Sequence, residues 1–349
     1  MKRQSLVDYG AALEATEAEA PAPEGTEVLV RVSHCGVCHS DVHLQDGYFE
    51  LGGGRQLDVR PGRELPFTLG HEIAGEVAAV GPDATDVAVG ERTAVFPWIG
   101  CGACGLCARG DEHLCNAPHA LGITVDGGYA TEVLVPHPRY LLSVEGIDPK
   151  LAGSYMCSGL TAYGALKKAI GHGASGPVMI VGLGGVGMMG LQFARAISDA
   201  DVLAADIDPA KREAALNLGA ASVFDPAEEN IRRTVMKATG GGAVAAIDFV
   251  GTESSMGFAQ SVVAKGGIVV VVGLMGGTFS LPVPMFPLRA LTVTGSYVGS
   301  LAEAREMLDL VRAGKVAPIP VELRPLDEAN RTLDDLREGR VLGRVVLTP

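Results

Sequence analysis

Aromatic residues are scarce in this 349-residue chain, at 5% with a single tryptophan, so its core must be built from Ala, Val, Leu and Ile. Basic residues are also in deficit: 28 Lys and Arg stand against 41 Asp and Glu, for a net charge of −13. Nucleic acids and anionic membrane surfaces both require a basic footprint, so this balance excludes them as main partners and leaves a small molecule. The first twenty residues lack the apolar stretch of a signal peptide and soon turn acidic. One long uncharged run, 266–288, is interrupted by Gly273, Gly276, Gly277, Pro282, Pro284 and Pro287, which deny it a membrane-spanning helix. Its 268–272 portion reads instead as a strand buried on both faces. With no export signal, the seven cysteines, an odd number, point to reduced, metal-binding thiols in a cytoplasmic protein and not to a disulfide framework.

Glycine is abundant, with 47 residues, and 47% of the chain is hydrophobic, as expected of a compact protein with many tight turns. The length suggests two domains. Residues 1–155 read as β-rich, with short strands separated by glycine turns, and 47–66 as a loop-like insertion with few periodic apolar positions. From about Pro177 short apolar runs (178–181, 202–205, 243–249 and 268–272) alternate with amphipathic helices, the grammar of βαβ units in a parallel sheet. The last fifty or so residues lack this rhythm and are expected to rejoin the first domain.

Residues 34–43 crowd two thiols, three imidazoles, a hydroxyl and a carboxylate into ten positions, after a strand read at 28–32. Cys35 and Cys38 alone fit either a redox pair or half of a zinc site. Cys101, Cys104, Cys107 and Cys115, spaced C-x₂-C-x₂-C-x₇-C, match a closed tetrahedral zinc site that holds a loop and does no chemistry. The long last gap and the absence of a following proline count against an iron–sulfur cluster. A catalytic zinc needs three protein ligands and an open position. Cys38, His71 and Cys157, with Glu72 beside the imidazole, are available for it, although no local spacing links them.

A dinucleotide site is legible in Gly182-Leu-Gly184-Gly185-Val186-Gly187, which follows the strand at 178–181 and opens an apolar helix face through Ile197. Asp206 ends the next strand, where it would bond the ribose hydroxyls and repel a 2′-phosphate. No arginine stands immediately after it, which favours NAD over NADP.

GVCHSD (36–41), GHE (70–72), the four-cysteine lobe and MCSGLTAYGAL (156–166) resemble, in order, the landmarks of zinc-dependent medium-chain alcohol dehydrogenases, and look closest to their tetrameric prokaryotic branch. The resemblance covers essentially the whole chain. It implies an α/β fold with a GroES-like β-rich catalytic domain (1–155 and 295–349) and a doubly wound parallel-sheet Rossmann domain (156–294). It also implies Cys38, His71 and Cys157 as ligands of a catalytic zinc with Glu72 near the metal, and two Zn²⁺ per subunit. Asp41 would hold the tautomer of His71, and Ser40 and His43 would carry the alcohol proton outward. His39, Lys211 and Arg344 would lie along the cofactor, and Phe49, Trp98 and Ala120 at the substrate cleft. Cys35 matches no role and is read as a small buried residue. The implied activity is reversible oxidation of primary or secondary alcohols with NAD by a cytoplasmic homo-oligomer, a tetramer or else a dimer. The rivals are a zinc-free reductase on the same scaffold, against which all three ligand positions argue, and a catalytically idle NAD- or zinc-binding protein.

Overall fold

The computed structural model describes residues 1–173 and 175–349. Its first sheet is organised around the strand Val28–Gly36, whose alternating valines face a buried core. This strand pairs antiparallel with Glu72–Val80, Glu132–Val135 and the C-terminal strand Arg344–Thr348. Arg92–Val95 and Leu141–Ser143 extend the sheet on one side and Val321–Pro325 on the other. The last two strands of the chain therefore lie in this sheet.

The register places Gly36 opposite Glu72 on one side and Val346 on the other. Three distant segments thus end together at one edge of the sheet. Beyond it, Gly47 adopts φ +86° and stops the helix His39–Asp46.

The second domain is a six-stranded parallel sheet. Its order is Ser222–Phe224, Val202–Ala205, Val178–Val181, Ala243–Asp248, Val263–Val271 and Thr292–Gly295. In chain order this is 3-2-1-4-5-6, the doubly wound arrangement that binds ligands beyond the carboxyl ends of its strands. The four expected strands are all present, the last starting earlier, at Val263. Helix Leu160–Gly171 bridges towards the first domain and packs on helix Gly185–Ile197.

The segment 47–66 departs from expectation. It is not simply a loop: Tyr48–Gly52 and Arg55–Asp58 form a hairpin turned by Gly53 and Gly54, both at positive φ. Neither strand has a fully buried residue, so no alternation was available to reveal it. Its tip meets the other domain so closely that a Cβ on Gly52 would lie 2.7 Å from the carbonyl carbon of Gly277. Among the described residues no helix is long and apolar enough to cross a membrane.

Candidate active site and metal centres

Cys38 is the N-cap of helix His39–Asp46, which makes Asp41 its third helical residue. Asp41 Oδ2 accepts the Cys38 N–H at 2.9 Å and the Tyr129 hydroxyl at 2.9 Å. Its Oδ1 lies 3.3 Å from His71 Nδ1, with both side chains fully buried. One carboxylate therefore both caps the helix and meets the imidazole. Burial works against charge on His71, but Asp41 and Cys38 outweigh it and hold the imidazole well above the ordinary histidine range.

With Nδ1 facing Asp41, Nε2 of His71 lies 3.2 Å from Cys157 Sγ. Cys157 arrives on a widened π-type turn, Tyr155–Gly159, at the start of helix Leu160–Gly171. Ligand atoms of Cys38, His71, Glu72 and Cys157 all lie within 4.8 Å of one another, and all four residues are buried. A tetrahedral zinc with ordinary Zn–N and Zn–S bonds sets an N···S edge of roughly 3.6 Å, so the His71–Cys157 pair fits one. A hydrogen bond from Cys157 lowers the Cys38 thiol well below its usual range, while that contact and burial push Cys157 up. Two soft sulfurs and an imidazole oriented by a carboxylate form a donor set suited to zinc.

Glu72 is held from behind. Its Oε1 accepts the Ser158 hydroxyl at 2.8 Å and the Arg344 guanidinium. Its Oε2 and the Ser154 hydroxyl are buried and have no partner among the described residues. A Cβ on Gly36 would come within 2.0 Å of Oε2 and 2.6 Å of Ser154 Oγ, so the carboxylate occupies space that only glycine leaves open. Burial opposes the charge on Arg344, but Glu72 and Cys38 outweigh it and keep the guanidinium protonated.

Ser40 Oγ lies 3.8 Å from Cys38 Sγ. His43, one turn along the helix, sets its ring 4.5 Å from the ring of Phe49, and its Nε2 is buried without a partner among the described residues. Burial, reinforced by His39, lowers the His43 pKa. The Trp98 ring meets the His71 ring edge-on at 5.4 Å, and its N–H donates to the Met156 carbonyl at 2.8 Å. Ala120 faces Trp98 across a short ladder in which His119 N–H bonds Ile99 O and Leu121 N–H bonds Pro97 O.

The glycine loop is shaped for a ligand. Gly182 has φ +86°, and a Cβ on Gly187 would sit 1.8 Å from the Gly182 carbonyl. A Cβ on Gly184 would meet nothing within 4 Å, which leaves open space at the N-terminus of helix Gly185–Ile197, with Val186 in its first turn. Gly185 packs under the Arg344 side chain. Arg344 is thus beside the loop, but its guanidinium is directed to Glu72. Burial lowers the His39 pKa, and the nearby cations Arg344 and Lys211 add to the effect, which favours the neutral ring. Asp206 Oδ2 accepts the Leu183 N–H at 2.6 Å and thereby ties the second strand to the loop.

The cysteine lobe has the geometry of a closed site. Its sulfur pairs lie 3.5 Å (Cys104–Cys107), 3.8 Å (Cys104–Cys115) and 4.0 Å (Cys101–Cys107) apart. A Zn–S₄ tetrahedron has an edge of roughly 3.8 Å. Backbone N–H groups of Ala103 and Cys104 hold the Cys101 thiol down at about 6. The Cys115 sulfur accepts the N–H groups of Cys101 and Ala117.

Residues 24–146 match the family described as alcohol dehydrogenase GroES-like domain, and residues 185–313 the family described as zinc-binding dehydrogenase. The chain is 38% identical to an NAD-dependent alcohol dehydrogenase of Sulfurisphaera tokodaii, over the full length of both. It is 36% identical to an alcohol dehydrogenase of Geobacillus stearothermophilus, over 99% of this chain and 98% of that one. The crystal structure of the alcohol dehydrogenase from the hyperthermophilic archaeon Aeropyrum pernix superposes with a TM-score of 0.89 at 31% identity, covering all of both chains. The chain belongs to the zinc-binding medium-chain dehydrogenase/reductase family. It is an oxidoreductase.

As in other members of the family the fold joins a GroES-like domain to a Rossmann-like one, and here the junction contains side chains that sequence reasoning missed. Tyr129, which holds Asp41, lies in a glycine turn that carries no signal. Ser158, which holds Glu72, was inside the MCSG motif and could have been found there. Tyr297, whose ring meets Trp98 at 5.7 Å, comes from the connection between strand Thr292–Gly295 and helix Leu301–Arg312.

Proposed function

We propose that this chain is a zinc- and NAD-dependent alcohol dehydrogenase that reversibly oxidises primary or secondary alcohols to aldehydes or ketones. The observation that carries the reading is the buried Cys38–His71–Cys157 cluster, with its histidine oriented by Asp41, beside a glycine loop open at Gly184. Zinc, when bound by these three residues, supplies a Lewis acid that acidifies the alcohol, and NAD supplies the hydride acceptor. Asp41 fixes the His71 tautomer so that Nε2 is the ligating nitrogen. Ser40 takes the hydroxyl proton and His43 receives it, with the unpartnered His43 Nε2 free for a further donor or acceptor such as a ribose hydroxyl. Phe49, Trp98 and Ala120 wall the substrate space. Gly182, Gly184, Gly185, Val186 and Gly187 cradle the pyrophosphate, His39, Lys211 and Arg344 lie along the cofactor with Lys211 and Arg344 lending positive charge, and Asp206 bonds the adenosine ribose.

A catalytic domain of 1–155 with 295–349 and a cofactor domain of 156–294 are supported by the two C-terminal strands in the first sheet. Seven free thiols support a cytoplasmic setting. The exposed apolar side chains Leu274, Met275, Val283 and Leu288, close to the edge strand Thr292–Gly295, support a homo-oligomer, a tetramer or else a dimer. The test of function is an initial-rate panel of primary, secondary and aromatic alcohols with NAD⁺ and NADP⁺. NAD⁺-dependent turnover of some of these alcohols is expected. Absence of turnover with every alcohol by zinc-loaded protein contradicts the reading.

A further inference from the structure

The strands Val202–Ala205 and Ser222–Phe224 run parallel, with Ala205 opposite Phe224. The residues that follow them, Asp206 and Asp225, therefore stand side by side at the carboxyl edge of the sheet, where open α/β sheets take their ligands. Arg212, in the second turn of helix Pro209–Asn217, comes between them. Its Nη1 donates to the Asp206 carbonyl oxygen at 2.7 Å and to Asp225 Oδ2 at 3.1 Å. Both side chains are mostly covered, at 19% and 21% exposure, so this pair is firmer than a surface ion pair. The other oxygen of Asp225 accepts the Ala227 N–H at 2.9 Å, which fixes the carboxylate in its turn. The residue directly after Asp206 is Ile207, not an arginine. The fold brings one to the same place from six residues further on.

We propose that Asp225 is a second determinant of cofactor choice: by holding Arg212 against the strand edge, it denies that guanidinium to a 2′-phosphate. The proposal rests on the reading of Asp206 as the ribose partner. A guanidinium is the side chain best matched to a phosphate, through paired N–H donors. Three carboxylates (Asp206, Asp208 and Asp225) face two cations (Lys211 and Arg212) in this corner, for a local balance of −1. Neutralising Asp206 alone removes a repulsion but leaves Arg212 bound to Asp225. Neutralising both carboxylates turns the balance to +1 and releases the arginine. Specificity for NAD is then built from two elements, a repulsive carboxylate and a sequestered attractor.

The test is a fluorescence titration with NADH and NADPH, which reads binding and not turnover. It compares the parent, Asp206→Ser, Asp225→Asn, the double variant and the double variant carrying Arg212→Gln, each checked for folding by circular dichroism. Asp225→Asn keeps an acceptor for the Ala227 N–H, and Asp225→Ser is the substitute if the asparagine variant does not fold. The double variant is expected to gain NADPH affinity by about 10–100-fold beyond the product of the two single changes, the worth of a hydrogen bond to a charged group. Arg212→Gln should erase that excess. A purely multiplicative double variant, or an excess that survives Arg212→Gln, overturns the proposal while leaving the NAD reading intact. A parent that already binds NADPH more tightly than NADH overturns both.

Discussion

Cys101, Cys104, Cys107 and Cys115 come from fifteen consecutive residues and three of them remain partly exposed, whereas Cys38, His71 and Cys157 come from three separate segments and are all buried. The lobe satisfies its sulfurs with backbone N–H groups of its own loop. The buried cluster is enclosed by side chains: Asp41 against His71, Tyr129 against Asp41, Ser158 and Arg344 against Glu72. A metal site made from one loop can close that loop with little beyond its own backbone. One assembled from strand ends inherits whatever the converging segments carry, and here they carry hydroxyls, carboxylates and imidazoles. On the proposed division into a structural and a catalytic centre, the difference lies in the surroundings more than in the ligands.

The largest effect that separates the two centres is expected from Cys157→Ala. Turnover should fall by roughly 10³-fold or more, because a Lewis acid at the reacting oxygen contributes several kcal/mol. The lobe is untouched, so thermal unfolding should stay close to the parent's, and steady-state rates beside a melting curve check both halves. The mirror experiment is Cys107→Ser, which should cost about 3 kcal/mol or more of stability, as loss of a structural metal does. Activity per folded molecule should survive, as read from denaturant melts and from rates corrected for the folded fraction. A Cys107→Ser protein as stable as the parent but inactive would erase the distinction.

His43→Gln probes the proton path proposed for the buried centre. Losing one positioned acid–base group costs ~10²-fold, or less where water substitutes, and added imidazole should restore part of the rate. The pH profile carries a sign. Burial lowers the His43 pKa, so the neutral, proton-accepting form persists to lower pH than for a free imidazole. The acid limb of alcohol oxidation should thus lie below the ordinary value of about 6.5, and it should vanish in the glutamine variant. A His43 variant with the parent's rate and profile would remove the relay and leave the zinc assignment standing.

The smallest effect is expected from Gly36→Ala. The added methyl would contact Glu72 Oε2 and Ser154 Oγ at distances no Cβ tolerates, so the carboxylate must move. Overpacking of this kind costs about 1–3 kcal/mol, measurable by urea unfolding. Within the lobe a Cβ on Gly102 or Gly105 meets nothing within 4 Å, although one on Gly100, just before it, would lie 2.5 Å from Cys107 Sγ. Gly102 adopts φ +72°, so Gly105→Ala is the cleaner control and should be nearly neutral.

What the sequence disclosed follows the same division. The lobe was legible from spacing alone, because its ligands are local. The βαβ rhythm gave the parallel sheet, because strands buried on both faces are written as continuous apolar runs. The proposed catalytic trio could not be linked by spacing. The pairing of Gly36 with Glu72 and the turn that carries Cys157 are long-range events, and only the likeness to a known family joined them. Hairpin 48–58 left no trace because it buries neither face. Tyr129 escaped because its role depends on where a glycine turn folds back. Asp41 was legible as the partner of His71, and in the structure it also caps helix His39–Asp46, a role open to it because a capping carboxylate has a second oxygen to give.

Metal analysis of the parent beside Cys157→Ala and Cys107→Ser tests the separation of the two centres most directly. The account predicts two zinc ions per chain in the parent. It predicts one in Cys157→Ala with the fold and melting temperature retained, and a sharply lowered melting temperature in Cys107→Ser. A parent that holds one zinc or none without prior chelation, or a Cys157→Ala protein that loses both ions together, would contradict it.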